Sequence, residues 1–210
     1  MKSAMICLLI LALAASAPGQ GFGKNKVQYE KFDWRYIQSE HFDVYFARGA
    51  ELLAEFTAET AEEALQLIEK SWNYDLDGRI TIVTYRSHNN FQQTNVSLEM
   101  PEESVGGFTE FLKNRVVIPF TGNYEDYRHV IHHEVTHAVN LRMFYGTGFQ
   151  SILMGATTSD IPLWFTEGLA EYESRHGWDV EADMFMRDAT ISGYLPPMNF
   201  LAYSSFNFST

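Results

Sequence analysis

Apolar and polar residues alternate with period two from His41 to Phe46: Phe42, Val44 and Phe46 fall on one face, His41, Asp43 and Tyr45 on the other. That pattern predicts a half-buried strand, and Trp34 to Gln38 reads as a second strand close enough to pair with it. From Gly49 the period changes to that of a helix. Leu52, Leu53, Phe56, Ala64, Leu67, Ile68 and Trp72 line one stripe, while Glu51, Glu55, Glu59, Glu62, Glu63 and Glu69 are expected to form a solvated face. Asp77-Gly78 marks a turn into a β-branched strand, Arg79 to Tyr85, after which Ser87 can cap a short helical segment running to Gln93. Two further strands, Val105 to Phe111 and Arg115 to Phe120, flank a Lys113-Asn114 turn. Asn123, with Asp126 three residues on, then opens a long helix that Gly146 and Gly148 end, and Pro162 opens another in which Leu163, Trp164, Leu169 and Tyr172 supply apolar contacts. Strands and helices in this order predict an α+β fold, with a small mixed sheet packed on the long helix and a helical subdomain following it.

The long helix contains His132-His133-Glu134-Val135-Thr136-His137, and hence the spacing H-E-x-x-H. Residues four apart on a helix share a face, so His133 and His137 can aim two imidazole nitrogens at one point, half of a zinc site. Glu134 lies beside that face, placed to take a proton from water without being a ligand. His129 and His133 have the same spacing, but that register has no glutamate after its first histidine. His132 points away and reads as a second-layer or core hydrogen-bonding residue, and His176 as a helix-terminal one, with substrate contact the alternative. His41 and His88 have no motif around them.

On the following helix Glu167 and Glu171 are again four apart, within Pro162-Leu163-Trp164-Phe165-Thr166-Glu167-Gly168-Leu169-Ala170-Glu171-Tyr172. Two carboxylates stacked on an apolar helix are costly unless each meets a cation or a metal. Gly168 beside them suggests a place where another helix approaches. In these two motifs the chain resembles the gluzincin zinc metallopeptidases, most nearly the secreted bacterial peptidase MA-like domains, over roughly residues 105 to 200. The resemblance implies a zincin-like fold, with His133, His137 and Glu167 as ligands to Zn2+, Glu134 as catalytic base and Glu171 as the carboxylate that supports His133. Glu171 as ligand with Glu167 as its support is the alternative. It also implies a donor for a developing oxyanion, with Tyr194 a candidate by position and Tyr172 and Tyr203 as alternatives. The strand before the helix would pair with an extended peptide, or it is a plain hairpin; Gly106-Gly107 suits close backbone approach in the first case. The absence of a G-x-M-E-N signature favours an endopeptidase over an aminopeptidase.

Composition narrows the setting. The chain has 210 residues, 46% hydrophobic and 15% aromatic, with a formal net charge of −12, which supplies one sizeable core and gives no reason to expect nucleic acid as a partner. Lys2, the apolar run Ile6 to Ala14 and the small residues after it read as a signal peptide over residues 1–19, cut before Gln20 and too short to span a membrane; an uncleaved anchor is the alternative. Removal takes away Cys7, the sole cysteine, and with it any disulfide or thiolate chemistry. A secreted or periplasmic domain over 20–210 is therefore expected, without stable membrane insertion and acting on a peptide or protein substrate. The aromatic run ending at Thr210 leaves open a continuation, which the resemblance would make a β-propeller. Asn95 and Asn207 sit in glycosylation sequons. The rival to a peptidase is a zincin-fold scaffold for a following domain, a role that gives Glu134 no use.

Overall fold

The structure, a computed structural model, describes residues 30–93, 106–110, 115–146 and 161–195. The signal peptide with Cys7, both sequons, the Lys113-Asn114 turn, Gly148 and Tyr203 lie outside the described residues.

Five strands form one mixed sheet: β1 (Trp34–Gln38), β2 (Phe42–Ala47), β3 (Ile80–Tyr85), β4 (Phe108–Glu110) and β5 (Arg115–Pro119), in the order β1-β2-β3-β5-β4. β1 pairs antiparallel with β2, β2 and β5 flank β3 in parallel, and β4 pairs antiparallel with β5. Parallel neighbours need a crossover, and between β2 and β3 it is helix α1 (Glu51–Trp72). Among the described residues four more helices follow: α2 (His88–Phe91), α3 (Tyr124–Tyr145), α4 (Leu163–Ser174) and α5 (Val180–Ile191). The architecture is thus α+β, and no described helix is long and apolar enough to cross a membrane.

The strands' period of two sorts their side chains onto two faces. Phe42, Val44, Ile80, Ile82, Val116 and Ile118 pack with Leu53, Leu65 and Ile68 of α1 and with Ile131, Val135 and Val139 of α3 in the main core, while Tyr85, Phe91 and Val117 form a smaller cluster. Helix α1 buries most of the stripe expected of it, with Leu53, Ala64 and Ile68 in the core and Phe56 and Trp72 packed against it, but two of its leucines fall outside. Leu52 is 79% exposed and Leu67 46%, whereas Ala54, Thr57, Ala58, Thr60, Ala61 and Ala64 are buried. Small residues let α1 lie close to α3, and the two leucines fall outside that contact. Nor is its acidic face purely solvated. Glu62 holds His41 through backbone and ring (2.7 and 2.8 Å), Glu69 accepts from the Leu76 N–H (2.8 Å) and Glu63 pairs with Arg128.

One buried phenol locks α3 in place. Tyr127, 1% exposed, has its hydroxyl 3.0 Å from Thr57 on α1 and 2.5 Å from Thr84 on β3. The Thr57 hydroxyl donates to the Leu53 carbonyl at 2.7 Å. It can therefore only accept from Tyr127, which leaves Thr84 to donate to the phenol oxygen. Burial pushes the phenol pKa up to about 12, so the network stays neutral.

Candidate metal centre

Helix α3 begins as its sequence suggests. The Asn123 side chain accepts from the Glu125 N–H at 2.9 Å, Glu125 and Asp126 place negative charge at the positive end, and Gly146 ends the helix at φ 69°. Its 22 residues carry His133 and His137 on the face turned to α4, where their Nε2 atoms lie 3.1 Å apart. Two facing imidazole lone pairs need a proton or a cation between them.

Glu167 on α4 completes the group. Its Oε2 is 3.4 Å from His133 Nε2 and 3.3 Å from His137 Nε2. A small divalent ion bound tetrahedrally at about 2.0–2.1 Å spaces its ligand atoms roughly 3.3–3.4 Å apart, so these three atoms fit one. Among the described residues a second group of three donor side chains, His129, His133 and Glu171, lies close enough together to hold an ion. The two groups share His133, and a neutral imidazole has a single lone pair. If Nε2 is the ligand atom, Nδ1 carries the hydrogen and faces Glu171, whose Oε2 is 3.4 Å away. Glu171 also lies 3.5 Å from His129 Nε2 and accepts from Arg175 Nε at 2.6 Å, and Arg175 in turn meets Asp179 at 3.1 Å.

Protonation follows from this arrangement. Burial opposes charge on His133, but Glu167 and Glu171 at its two nitrogens outweigh it and raise the pKa to about 9. Seen from the carboxylates, the same contacts hold Glu167 down at about 2, and His129 and His133 hold Glu171 below its ordinary range. Glu134 differs from both: it is only 6% exposed, and burial raises its pKa against the pull of His137, Thr109 and His133. It stands outside both donor sets. A carboxylate with a raised pKa beside a three-donor group can accept a proton near neutral pH.

Other sequence expectations fall differently. His132 is buried with its Nε2 unpartnered among the described residues. Its ring packs edge-on against His176 at 5.4 Å, and burial lowers its pKa to about 4, so it stays a neutral ring. His176 sits just past α4 at φ 58°, its N–H on the Glu173 carbonyl. Gly168 has no described residue within 4 Å of where a Cβ would stand, so no described helix approaches it. Gly107 makes the close approach instead. A Cβ on it would meet Val130, Glu134 and the Val117 carbonyl at 3.2–3.3 Å, so its missing side chain admits the chain's own helix. Tyr194 is 76% exposed beyond α5, and the Tyr172 hydroxyl end lies against Gly177.

Sequence reasoning missed Thr109, whose hydroxyl reaches Glu134, and the Arg175 support of Glu171. Arg175 and Asp179 continue the i, i+4 series begun by Glu167 and Glu171, a signal that was there to follow. A cleft of about 540 Å3 opens behind the cluster, lined by Thr60, Leu67, His129, His132 and His176 but by none of His133, Glu134, His137 or Glu167. No protein-family model, curated protein or solved structure matches the chain.

Proposed function

We propose that the chain is a secreted zinc-dependent metallopeptidase of gluzincin type, with a zincin-like fold, that hydrolyses peptide bonds by general-base attack of water. The observation that carries this reading is the convergence of His133 Nε2, His137 Nε2 and Glu167 Oε2, with the buried Glu134 carboxylate next to that group and not part of it. His133, His137 and Glu167 would hold the zinc. Bound there, the ion would supply a Lewis acid that polarises a carbonyl and favours ionisation of water. Three protein donors leave a position open, which suits a catalytic rather than a structural role. Glu134 takes the proton of the attacking water and passes it to the leaving amine, which needs no covalent intermediate. Its burial keeps bulk water from competing for that proton. Glu171, held by Arg175, fixes the His133 ring and its tautomer by accepting at Nδ1.

The test is hydrolysis of a complex peptide mixture by the zinc-loaded chain and by Glu134→Gln, with cleavage sites read by mass spectrometry. Glu134→Gln keeps the shape and removes the base, so zinc content stays and hydrolysis falls by about a hundredfold or more. Hydrolysis that persists in Glu134→Gln overturns the mechanism. A wild-type chain that holds zinc and cleaves nothing is a scaffold.

A further inference from the structure

We propose that Thr109 is a positioning residue for Glu134, aiming the carboxylate from the edge strand of the sheet; this rests on the peptidase reading above. β4 is only three residues long and pairs with β5 alone, so Phe108, Thr109 and Glu110 form the border of the sheet next to α3. The middle residue turns its hydroxyl onto the helix. Thr109 Oγ1 lies 2.7 Å from Glu134 Oε2 and 3.1 Å from the Glu134 main-chain carbonyl. A threonine hydroxyl has one hydrogen. The shorter contact, to a charged acceptor, takes it, and the carbonyl is at most a second acceptor for the same hydrogen.

Among the described residues no other side-chain donor forms a hydrogen bond with this carboxylate. With Oε2 held by Thr109, Oε1 is the oxygen left to accept a proton. A buried carboxylate free to rotate would divide its time between rotamers, and general-base catalysis requires a lone pair kept within hydrogen-bond reach of the proton it removes. The backbone is built to allow this contact. Gly107, two residues earlier on the same side of the chain, has Glu134 Cγ, Val130 Cγ1 and the Val117 carbonyl at 3.2–3.3 Å from where a Cβ would stand, so a side chain there would force β4 away from α3. The bare backbone at 107 lets the strand come near enough for a side chain as short as threonine to reach the helix.

The experiment compares Thr109→Val, which keeps the shape and loses the hydroxyl, with Thr109→Ser, which keeps the hydroxyl, in the full chain. Turnover of a cleaved peptide, KM and zinc content are measured for each. A thermodynamic cycle of Thr109→Val, Glu134→Ala and the double variant is followed by urea unfolding, a readout independent of activity. We expect kcat to fall about tenfold or more in Thr109→Val, with KM and zinc content unchanged, and Thr109→Ser to restore most of it. The cycle should show coupling of about tenfold in the unfolding equilibrium constant, on the scale of a hydrogen bond to a charged group. Thr109→Val with wild-type kcat, Thr109→Ser as impaired as Thr109→Val, or no coupling in the cycle overturns the assignment. Coupling in a wild-type chain that cleaves no peptide overturns the peptidase reading instead, and leaves the contact as a tie between strand and helix.

Discussion

Replacing Tyr127 by phenylalanine removes one oxygen from the joint between α1, β3 and α3. The ring stays buried against Phe56 and Phe120, at centroid distances of 6.2 and 5.3 Å, so no cavity larger than the hydroxyl opens. Thr57 loses a donor but keeps its own bond to Leu53. Thr84, 1% exposed, is left with a hydroxyl hydrogen and no acceptor in its place. A buried polar group stripped of its partner costs about 1–3 kcal/mol, so Tyr127→Phe should destabilise the fold by roughly 2 kcal/mol. Adding Thr84→Val removes the stranded hydroxyl as well, and the double variant should regain about 1 kcal/mol over Tyr127→Phe alone. Urea unfolding followed by far-UV circular dichroism measures both, with an unchanged m-value as the check that the comparison is sound. A loss below about 0.5 kcal/mol for Tyr127→Phe, or a further loss on adding Thr84→Val, refutes the hydrogen-bond assignment.

Gly168→Ala should raise stability by roughly 0.5–1 kcal/mol in the same assay without affecting zinc content, because a helical glycine with no described residue within 4 Å of its Cβ position can take a methyl group at no steric cost from them. In the zinc-free chain, His133 has a folded pKa of about 9 against 6.5 unfolded, so its contribution is full below pH 6.5 and fades as pH rises through 9. His132, lowered to about 4, acts oppositely and takes stability away as pH falls from 6.5 to 4. Glu167 adds a loss from 4.5 down toward 2. Urea midpoints of the zinc-free protein should therefore peak near pH 6.5, and a midpoint that climbs steadily from 6.5 to 9 contradicts the His133 environment.

The parts of this molecule that were legible in its sequence depend on local geometry. His133 with His137, and Glu167 with Glu171, share helix faces by spacing alone, and the alternation through Phe42, Val44 and Phe46 sets which side of β2 is buried. Contacts that arise from the approach of two elements were not legible. On α1 the stripe through Leu53, Ala64 and Ile68 is buried as its spacing suggests, but packing against α3 leaves Leu52 and Leu67 outside and brings in Thr57, Thr60 and Ala61. Gly168 and Gly107 each promised a close approach, and only the position of β4 across α3 decides that Gly107 makes one, to the chain's own helix. The Thr109 hydroxyl bond depends on that same docking and has no signature in a three-residue strand. Helix α5 has its start written in the sequence by Asp179, whose side chain accepts from the Ala182 N–H at 2.7 Å, and by Glu181 and Asp183 in its first turn.

The account depends most on the three donor atoms of His133, His137 and Glu167 acting as one metal centre. Elemental analysis of the purified, extensively dialysed chain measures this directly, alongside His133→Ala, His137→Ala, Glu167→Ala and Glu171→Gln. The account predicts one zinc per chain, lost in each of the three ligand variants. In Glu171→Gln, where only support for the His133 ring is weakened, zinc is retained with affinity lower by about ten- to a hundredfold. Zinc well below one per chain that does not change when His133 or His137 becomes alanine, or zinc lost from Glu171→Gln but kept by Glu167→Ala, would contradict it.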